Sequence, residues 1–171
     1  MMTPPLHTAP TSEHRTVMSS SSARHSVSVA GVIVDGTDRC LITKRRDNGQ
    51  WQAPGGVLEM HESIPEGLAR EMKEETGLEI EAIRLTGVYK NIRLGVVSLV
   101  FRCNIVAGKL KLNEEVSEFK WASREVLDGF MTEAFAVRVT DALSEGAFPA
   151  IRVHDGVHLI SDMAVWRGRE R

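Results

Sequence analysis

The hydrophobic positions in the first two thirds of the chain have the short spacing that is typical of β-strands. Val27–Val34 and Cys40–Arg45 are β-branched apolar runs, and the turn-rich link Asp35–Asp38 between them favours a hairpin. Glu79–Tyr89 and Val96–Val106 also have the composition of strands. The second of these is almost continuously apolar, so it predicts a strand that is buried on both faces.

Between the second and third strands the pattern changes to that of a helix. Ser63 is suited to the N-cap position, with Glu66 as its capping-box partner and Pro65 in the first turn. Gly77, followed by an apolar residue, is typical of a left-handed helix end. The sequence therefore predicts a helix at Ile64–Thr76.

The last third of the chain contains shorter signals. A short strand is expected to end at Trp121, and a capped helical turn is expected at Ser123–Leu127. Ile151–Val153 and Val157–Ile160 flank a turn-forming segment and predict a terminal hairpin.

A second helix is expected in this region, capped by Thr132 and extending to about Glu145. Phe135, Val139 and Leu143 would form its apolar stripe. Strands on both sides of one helix, followed by more strands and a second long helix, predict an α/β fold with a mixed β-sheet between helices. The expected organisation is a disordered tail at 1–24, a single domain at 25–162 and a polar tail at 163–171.

Composition limits the classes of partner. The chain has 171 residues, of which 42% are hydrophobic and 26% charged, and its formal net charge is −2. This balance gives no general attraction to nucleic acid or to an anionic membrane, and no apolar run is long enough to span a bilayer. Cys40 and Cys103 lack metal-type spacing, so we expect buried free thiols in a reducing compartment and a cytoplasmic protein.

The predicted helix carries acidic residues in positions that folding alone does not favour. Glu71 and Glu75 fall on one side of it, beside the apolar residues Leu68 and Met72, and Glu74 lies slightly further round. Acids in the last turn of a helix typically cost about 0.3–1 kcal/mol each. A hard divalent cation removes this objection, because Mg²⁺ binds carboxylate oxygens together with water and substrate phosphate.

The segment Gly56–Leu78 resembles the motif of the Nudix hydrolase family, G-x5-E-x7-R-E-U-x-E-E-x-G-U, in which U is apolar. The likeness is sharp over these 23 residues and diffuse over roughly Ser26–Leu143. The residues that occupy the defined positions are Gly56, Glu62, Arg70, Glu71, Met72, Glu74, Glu75, Gly77 and Leu78.

This resemblance implies an α/β/α sandwich and an enzyme that hydrolyses a nucleoside diphosphate linked to another moiety, by water attack on phosphorus. It implies a Mg²⁺ or Mn²⁺ ion held by Glu71, Glu74, Glu75 and the Gly55 carbonyl. Such an ion neutralises the diphosphate and activates water.

Further residues of the motif would support this metal site. Arg70 is expected to pair with Glu62 and so hold the loop against the helix, and Gly56 belongs to the same supporting set. Many relatives are dimers, so a homodimer is expected.

A fourth acid is commonly supplied by a later loop in this family. Glu115 matches its place, and Glu114 and Glu118 are close competitors. Relatives differ in which acid serves as the general base, so Glu115, Glu71 and Glu75 are all candidates in this chain.

Residues that bind substrate are less clearly marked. The basic residues Arg45 and Arg46 can approach a phosphate, and Trp51 can stack on a base. The short elements that mark several substrate groups of the family are absent, since no proline occurs between Pro65 and Pro149 and Tyr89 comes too early. The expected substrate is therefore a nucleotide or nucleoside diphosphate derivative, including nucleoside triphosphates.

Three alternatives share this resemblance or fold. One is a non-catalytic Nudix domain that senses a nucleotide, although such domains often lose the carboxylates that are all present here. Another is an isomerase of the isopentenyl diphosphate type, whose cysteine motif is missing because Cys40 lies within a predicted strand. The third is a purely structural interaction domain, which gives the glutamates no role.

Overall fold

The computed structural model describes residues 24–161. Except for Arg24, the two expected tails therefore lie outside the described residues. The described part contains nine strands, two α-helices and one 3₁₀ helix. The strands are β1 (Ser26–Ile33), β2 (Cys40–Arg45), β3 (Trp51–Gln52), β4 (Gly55–Val57), β5 (Leu78–Asn91), β6 (Val96–Gly108), β7 (Val116–Ala122), β8 (Ala150–His154) and β9 (Leu159–Ser161). The helices are α1 (Ile64–Thr76), the 3₁₀ helix (Arg124–Gly129) and α2 (Glu133–Leu143).

The strands form two sheets. A six-stranded sheet has the order β4-β1-β6-β5-β8-β9, and a three-stranded sheet has the order β3-β2-β7. The larger sheet is mixed, because β1 is parallel to β6 and β5 is parallel to β8, whereas the other pairs are antiparallel. The expected hairpin at the end of the chain is confirmed as β8–β9.

Alternate residues of β1 contribute to two separate hydrophobic clusters. Val29 packs with Met72 of α1, whereas its neighbour Ala30 packs with Val139 of α2. Successive side chains of a strand point to opposite faces of a sheet. The two helices therefore cover opposite faces, which confirms the predicted mixed sheet between helices.

The ends of α1 agree with the sequence prediction. Ser63 and Glu66 form the full capping box, and Gly77 ends the helix with a φ of 78°. The expected Thr132 cap of α2 is only positional, since its side chain makes no capping hydrogen bond. This helix also ends at Leu143, before the expected Glu145.

The buried face of α2 differs from the predicted stripe. Val139 is buried as expected, but Phe135 and Leu143 are only partly buried. The other buried positions are Ala134, Ala136 and Ala142. These small residues let the helix lie close to the sheet, so the larger side chains move to the margins.

The predicted hairpin between β1 and β2 is wrong. These strands belong to different sheets and share only a single bridge, between Val34 and Cys40. The reason is that β4 and β6 already occupy both edges of β1. The Asp35–Asp38 link still forms a turn, in which the Asp35 carboxylate accepts hydrogen bonds from the amide N–H groups of Thr37 and Arg39.

The prediction that β6 is buried on both faces holds only for part of it. Val100 and Cys103 are buried, but Ile105 and Val106 are 44% and 60% exposed. Pairing with β1 stops at Cys103, so the end of the β5–β6 hairpin extends beyond the rest of the sheet.

Candidate active site

The glycine strand β4 brings backbone atoms against the acidic side of α1. The Gly55 N–H donates a hydrogen bond to Oε2 of Glu75 at 2.8 Å. A Cβ atom at Gly55 would overlap the carbonyl oxygen of Val29, and one at Gly56 would overlap the carboxylate of Glu71. Glycine at position 55 therefore lets β4 lie close to β1, and glycine at position 56 leaves room for the Glu71 carboxylate.

Arg70 holds the loop and the helix together. Its Nε and Nη2 donate to the two carboxylate oxygens of Glu62 at 2.9 and 2.7 Å, and this pair lowers the pKa of Glu62 to about 2. Its Nη1 donates to Glu71 at 2.8 Å and to Glu74 at 3.1 Å, and Nη2 also reaches the Val57 carbonyl at 3.2 Å. One guanidinium therefore links the loop to two of the motif glutamates.

Two of the glutamates are buried. Glu75 is 4% exposed and Glu71 is 9% exposed. Burial raises the pKa of Glu75 to about 7, and the charges of Glu71 and Glu115 add to this effect. Burial also raises the pKa of Glu71, although Arg70 opposes the shift. The apposed acids thus form a region of negative potential in which a cation is favoured.

The other two predicted acids are exposed. The side chain of Glu74 is 59% exposed and turned towards Arg70. Glu115 lies in the loop before β7, and its charge raises the pKa of both Glu71 and Glu75. Glu118 lies within β7 and pairs with Lys44 at 3.6 Å, so of these two acids Glu115 is the one that acts on the helix carboxylates.

Asn113 is a supporting residue that no motif in the sequence marks. Its Nδ2 donates to the carbonyl oxygens of Glu74 and Glu75 at 2.8 and 2.9 Å. Its Oδ1 accepts hydrogen bonds from the amide N–H groups of Glu115 and Val116, both at 2.8 Å. Asparagine commonly hydrogen-bonds the backbone two residues on, which is the local signal for half of this arrangement. The other half joins distant parts of the chain.

The carboxylates are ligands of the type that a hard divalent cation prefers, but they do not converge on one point in the structure. Within residues 24–161, no three His, Cys, Asp or Glu side chains converge closely enough to hold a metal ion as they stand. Arg70 engages Glu71 and Glu74, and Gly55 engages Glu75. The buried Glu75 carboxylate nevertheless has only one hydrogen-bond partner among the described residues, the backbone N–H of Gly55. Carboxylate oxygens are ligands that Mg²⁺ and Mn²⁺ prefer.

The three predicted substrate-binding residues are placed differently. Arg45 lines a cleft beside the glycine strand and pairs with Asp47 at 2.7 Å. The Arg46 side chain instead donates to the carbonyl oxygens of Asn113 and Val116, so it supports the Glu115 loop. Trp51 lies outside the cleft lining and packs edge-on against a neighbouring phenylalanine ring.

The cleft itself has a volume of about 190 Å³ and lies on the α2 side of the sheet. Gly55 and Gly56 form its border with the glutamates. Apolar side chains supply much of the wall, with polar groups at a few points. The lining includes Val29, Ala53, Val96, Phe135, Gln52, Asn91, Ser98 and Arg138.

A family model of the NUDIX domain matches residues 24–143. This chain belongs to the Nudix hydrolase family. It is 48% identical over 136 residues to a MutT-like protein of Streptomyces ambofaciens, covering 80% of this chain and 88% of that protein. It is 36% identical over 99 residues to an ADP-ribose pyrophosphatase of Methanocaldococcus jannaschii, covering 54% and 58% of the two chains.

A solved structure of similar fold is the MutT protein from Methanosarcina mazei Go1. The TM-score is 0.61 at 30% identity, covering 68% of this chain and 91% of that one. These comparisons confirm the resemblance and the α/β fold, and they identify a hydrolase of pyrophosphate bonds. Nudix hydrolases generally use divalent metals. No helix within residues 24–161 has the length and apolar character needed to cross a bilayer.

Proposed function

We propose that this Nudix hydrolase cleaves the diphosphate linkage of a nucleotide or nucleoside diphosphate derivative, with Mg²⁺ or Mn²⁺ as cofactor. The observation that carries the proposal is the burial of Glu71 and Glu75 against two glycines, where folding alone would not place them. Relatives named ADP-ribose pyrophosphatase and nucleoside triphosphatase NudI support this substrate class.

The proposed metal ligands are Glu71, Glu74, Glu75, Glu115 and the Gly55 carbonyl. When bound, the ion would neutralise the diphosphate and lower the pKa of an attacking water. Glu71 and Glu74 would exchange part of their contact with the arginine of the motif for contact with the cation. Arg70 would keep its contacts to Glu62 and Val57 of the loop, and so hold the carboxylates in position.

We assign the general base to Glu115. Its carboxylate is exposed and makes no hydrogen bond to the described residues, whereas Glu71 and Glu75 are already engaged. A general base needs a carboxylate oxygen that is free to accept the proton of the attacking water, so only the other oxygen of Glu115 would bind the metal. Glu115→Gln would then lower kcat while metal affinity changes less than in Glu75→Gln.

The decisive experiment is a panel of nucleoside triphosphates and nucleoside diphosphate conjugates, assayed with Mg²⁺ or Mn²⁺ and with products resolved to show which bond breaks. Glu75→Gln is expected to abolish metal-dependent turnover with the fold intact. Glu81→Gln, at an exposed position of β5, is the matched control and is expected to keep full activity. Undiminished turnover by Glu75→Gln with Mg²⁺ would refute the metal-site assignment.

The same panel tests the sensing alternative. Tight nucleotide binding without product release in Mg²⁺ would favour a non-catalytic Nudix domain over the enzyme. The expected homodimer is proposed from the family resemblance alone, and light scattering of the full chain tests it.

A further inference from the structure

Arg138 of α2 lines the cleft and has no acidic partner among residues 24–161. Its Nη1 donates to Oγ of Ser98 at 3.2 Å, and its Nη2 lies 3.0 Å from Nε2 of His154. The guanidinium carbon lies 4.6 Å from the ring centre of Phe135 and 5.4 Å from that of Tyr89. The charge of this arginine is therefore contacted by aromatic rings and neutral groups.

The N–H groups around Arg138 outnumber the acceptors. Nδ1 of His154 lies 3.0 Å from the N–H of Gly156, while Nε2 of the same ring faces Arg138. Burial and the charge of Arg138 lower the pKa of His154 to about 4, so the imidazole is neutral at pH 7. A neutral imidazole accepts at only one nitrogen. One of these two donors, the Gly156 N–H or Nη2 of Arg138, is thus left over, and Nε of Arg138 is buried with no hydrogen-bond partner among residues 24–161.

The nearby Arg152, unlike Arg138, has a carboxylate partner among the described residues. Arg152 makes two hydrogen bonds of 2.7 Å to the carboxylate of Asp141, on the same helix as Arg138. Donors left unpaired in a protein interior are costly. The shortage of acceptors around Arg138, at the surface of a cleft, points to a ligand that supplies one.

The cleft indicates what kind of group this ligand presents. Its walls are largely apolar, and Phe135 offers an aromatic ring, so a flat group is favoured there. Asn91 also lines the cleft, and its Oδ1 already accepts hydrogen bonds from the amides of Arg93 and Leu94. The group that Asn91 can offer to a ligand is therefore its Nδ2 donor. A nucleobase with a keto oxygen meets both conditions, and arginine is the commonest partner of the guanine O6 and N7 edge.

Given the pyrophosphohydrolase function proposed above, we propose that Arg138 donates to the keto oxygen of a nucleobase held in the cleft and selects bases with keto groups over those with amino groups. The diphosphate then lies towards Gly55, and the base lies towards α2. An amino group in place of the keto oxygen would place one donor against another and remove the acceptor that Arg138 binds in a keto base.

The sharpest test compares substrates that differ only at this group and in the hydrogen on the adjacent ring nitrogen. Inosine triphosphate carries a keto oxygen where ATP carries an amino group, and UTP and CTP form a similar pair. Wild-type kcat/KM is expected to favour inosine triphosphate over ATP by about tenfold or more. Arg138→Gln is expected to reduce this ratio to within about twofold, and Arg138→Lys to give an intermediate ratio.

Arg102→Gln is the matched control. This arginine reaches α2 from β6, through a contact of 3.4 Å with the Ala142 carbonyl, but it does not line the cleft. Its substitution is expected to leave the ratio unchanged. The wild-type ratio needs no variant, so the test stands even if Arg138→Gln is unstable.

Binding of inosine diphosphate and ADP, measured by calorimetry on the full chain, separates this inference from the proposed function. A keto preference that depends on Arg138, in a protein that hydrolyses no nucleotide or nucleoside diphosphate conjugate of the panel, would retain the inference and refute the proposed function. Equal binding and turnover of the two nucleotides by the wild type would overturn it. So would a preference that Arg138→Gln leaves intact, or the failure of both nucleotides to bind.

Discussion

Replacing Glu75 by Gln should stabilise the metal-free protein at alkaline pH. Glu75 is 4% exposed, and its pKa rises from 4.5 to about 7 chiefly because of burial. Glutamine has nearly the same shape and can still accept the hydrogen bond from the Gly55 N–H, which is 2.8 Å away. The substitution therefore removes the ionisation with little change in packing.

The difference between these two pKa values corresponds to about 3 kcal/mol. Below pH 4.5 the Glu75 carboxyl is protonated in both the folded and the unfolded state, so the wild type has its full stability from this group. Between pH 4.5 and about 7 the unfolded state ionises first, and stability falls as the pH rises. Above pH 7 the loss is complete, so Glu75→Gln should then exceed the wild type by up to about 3 kcal/mol.

The assay is urea unfolding of both proteins in EDTA, at pH 5 and pH 8. The gap should be small at pH 5 and large at pH 8, and Mg²⁺ should narrow it by stabilising the wild type. Glu74→Gln is the control, because that side chain is 59% exposed and its pairing should be worth less than about 1 kcal/mol. A gap that does not change with pH, or a less stable Glu75→Gln at pH 8, would refute the reasoning.

Two other substitutions test the supports of the site. Gly56→Ala should lower metal-dependent turnover by about a hundredfold, because the added methyl group would displace the Glu71 carboxylate. Gly36→Ala is the control and should have no effect, because a methyl group there meets no atom within 4 Å. Equal turnover in the two alanine variants would contradict the first expectation. Asn113→Ala should lower the free energy of unfolding by about 1–3 kcal/mol and reduce turnover, because it removes the hydrogen bonds that connect the Glu115 loop to the last turn of α1. An unchanged midpoint of urea unfolding would contradict this expectation.

The features that the sequence predicts well are those whose causes are local. The bounds of α1 follow from Ser63 at one end and Gly77 at the other, and the motif places its glutamates on one side of the helix. Strand partners could not be predicted in this way, because the choice depends on which edges remain free when the sheet assembles. The role of Asn113 is equally non-local, as its side chain caps a helix that ends 37 residues earlier in the chain.

The two glycines of β4 give a physical reason why the proposed metal ligands and the cleft occur together. On one side of the strand the missing side chain of Gly56 admits the Glu71 carboxylate, and the Gly55 N–H donates a hydrogen bond to that of Glu75. On the other side both glycines border the cleft of Arg138. On the α1 side Arg70 only partly neutralises the negative charge of the glutamates, and on the α2 side Arg138 has no carboxylate partner in the part of the chain that the structure describes. A substrate with a metal-bound diphosphate at one end and an acceptor-bearing base at the other would satisfy both sides at once. The buried glutamates on one side and the unpaired donors of Arg138 on the other both lower the stability of the fold. A single bound molecule that spans the glycine strand would offset both effects.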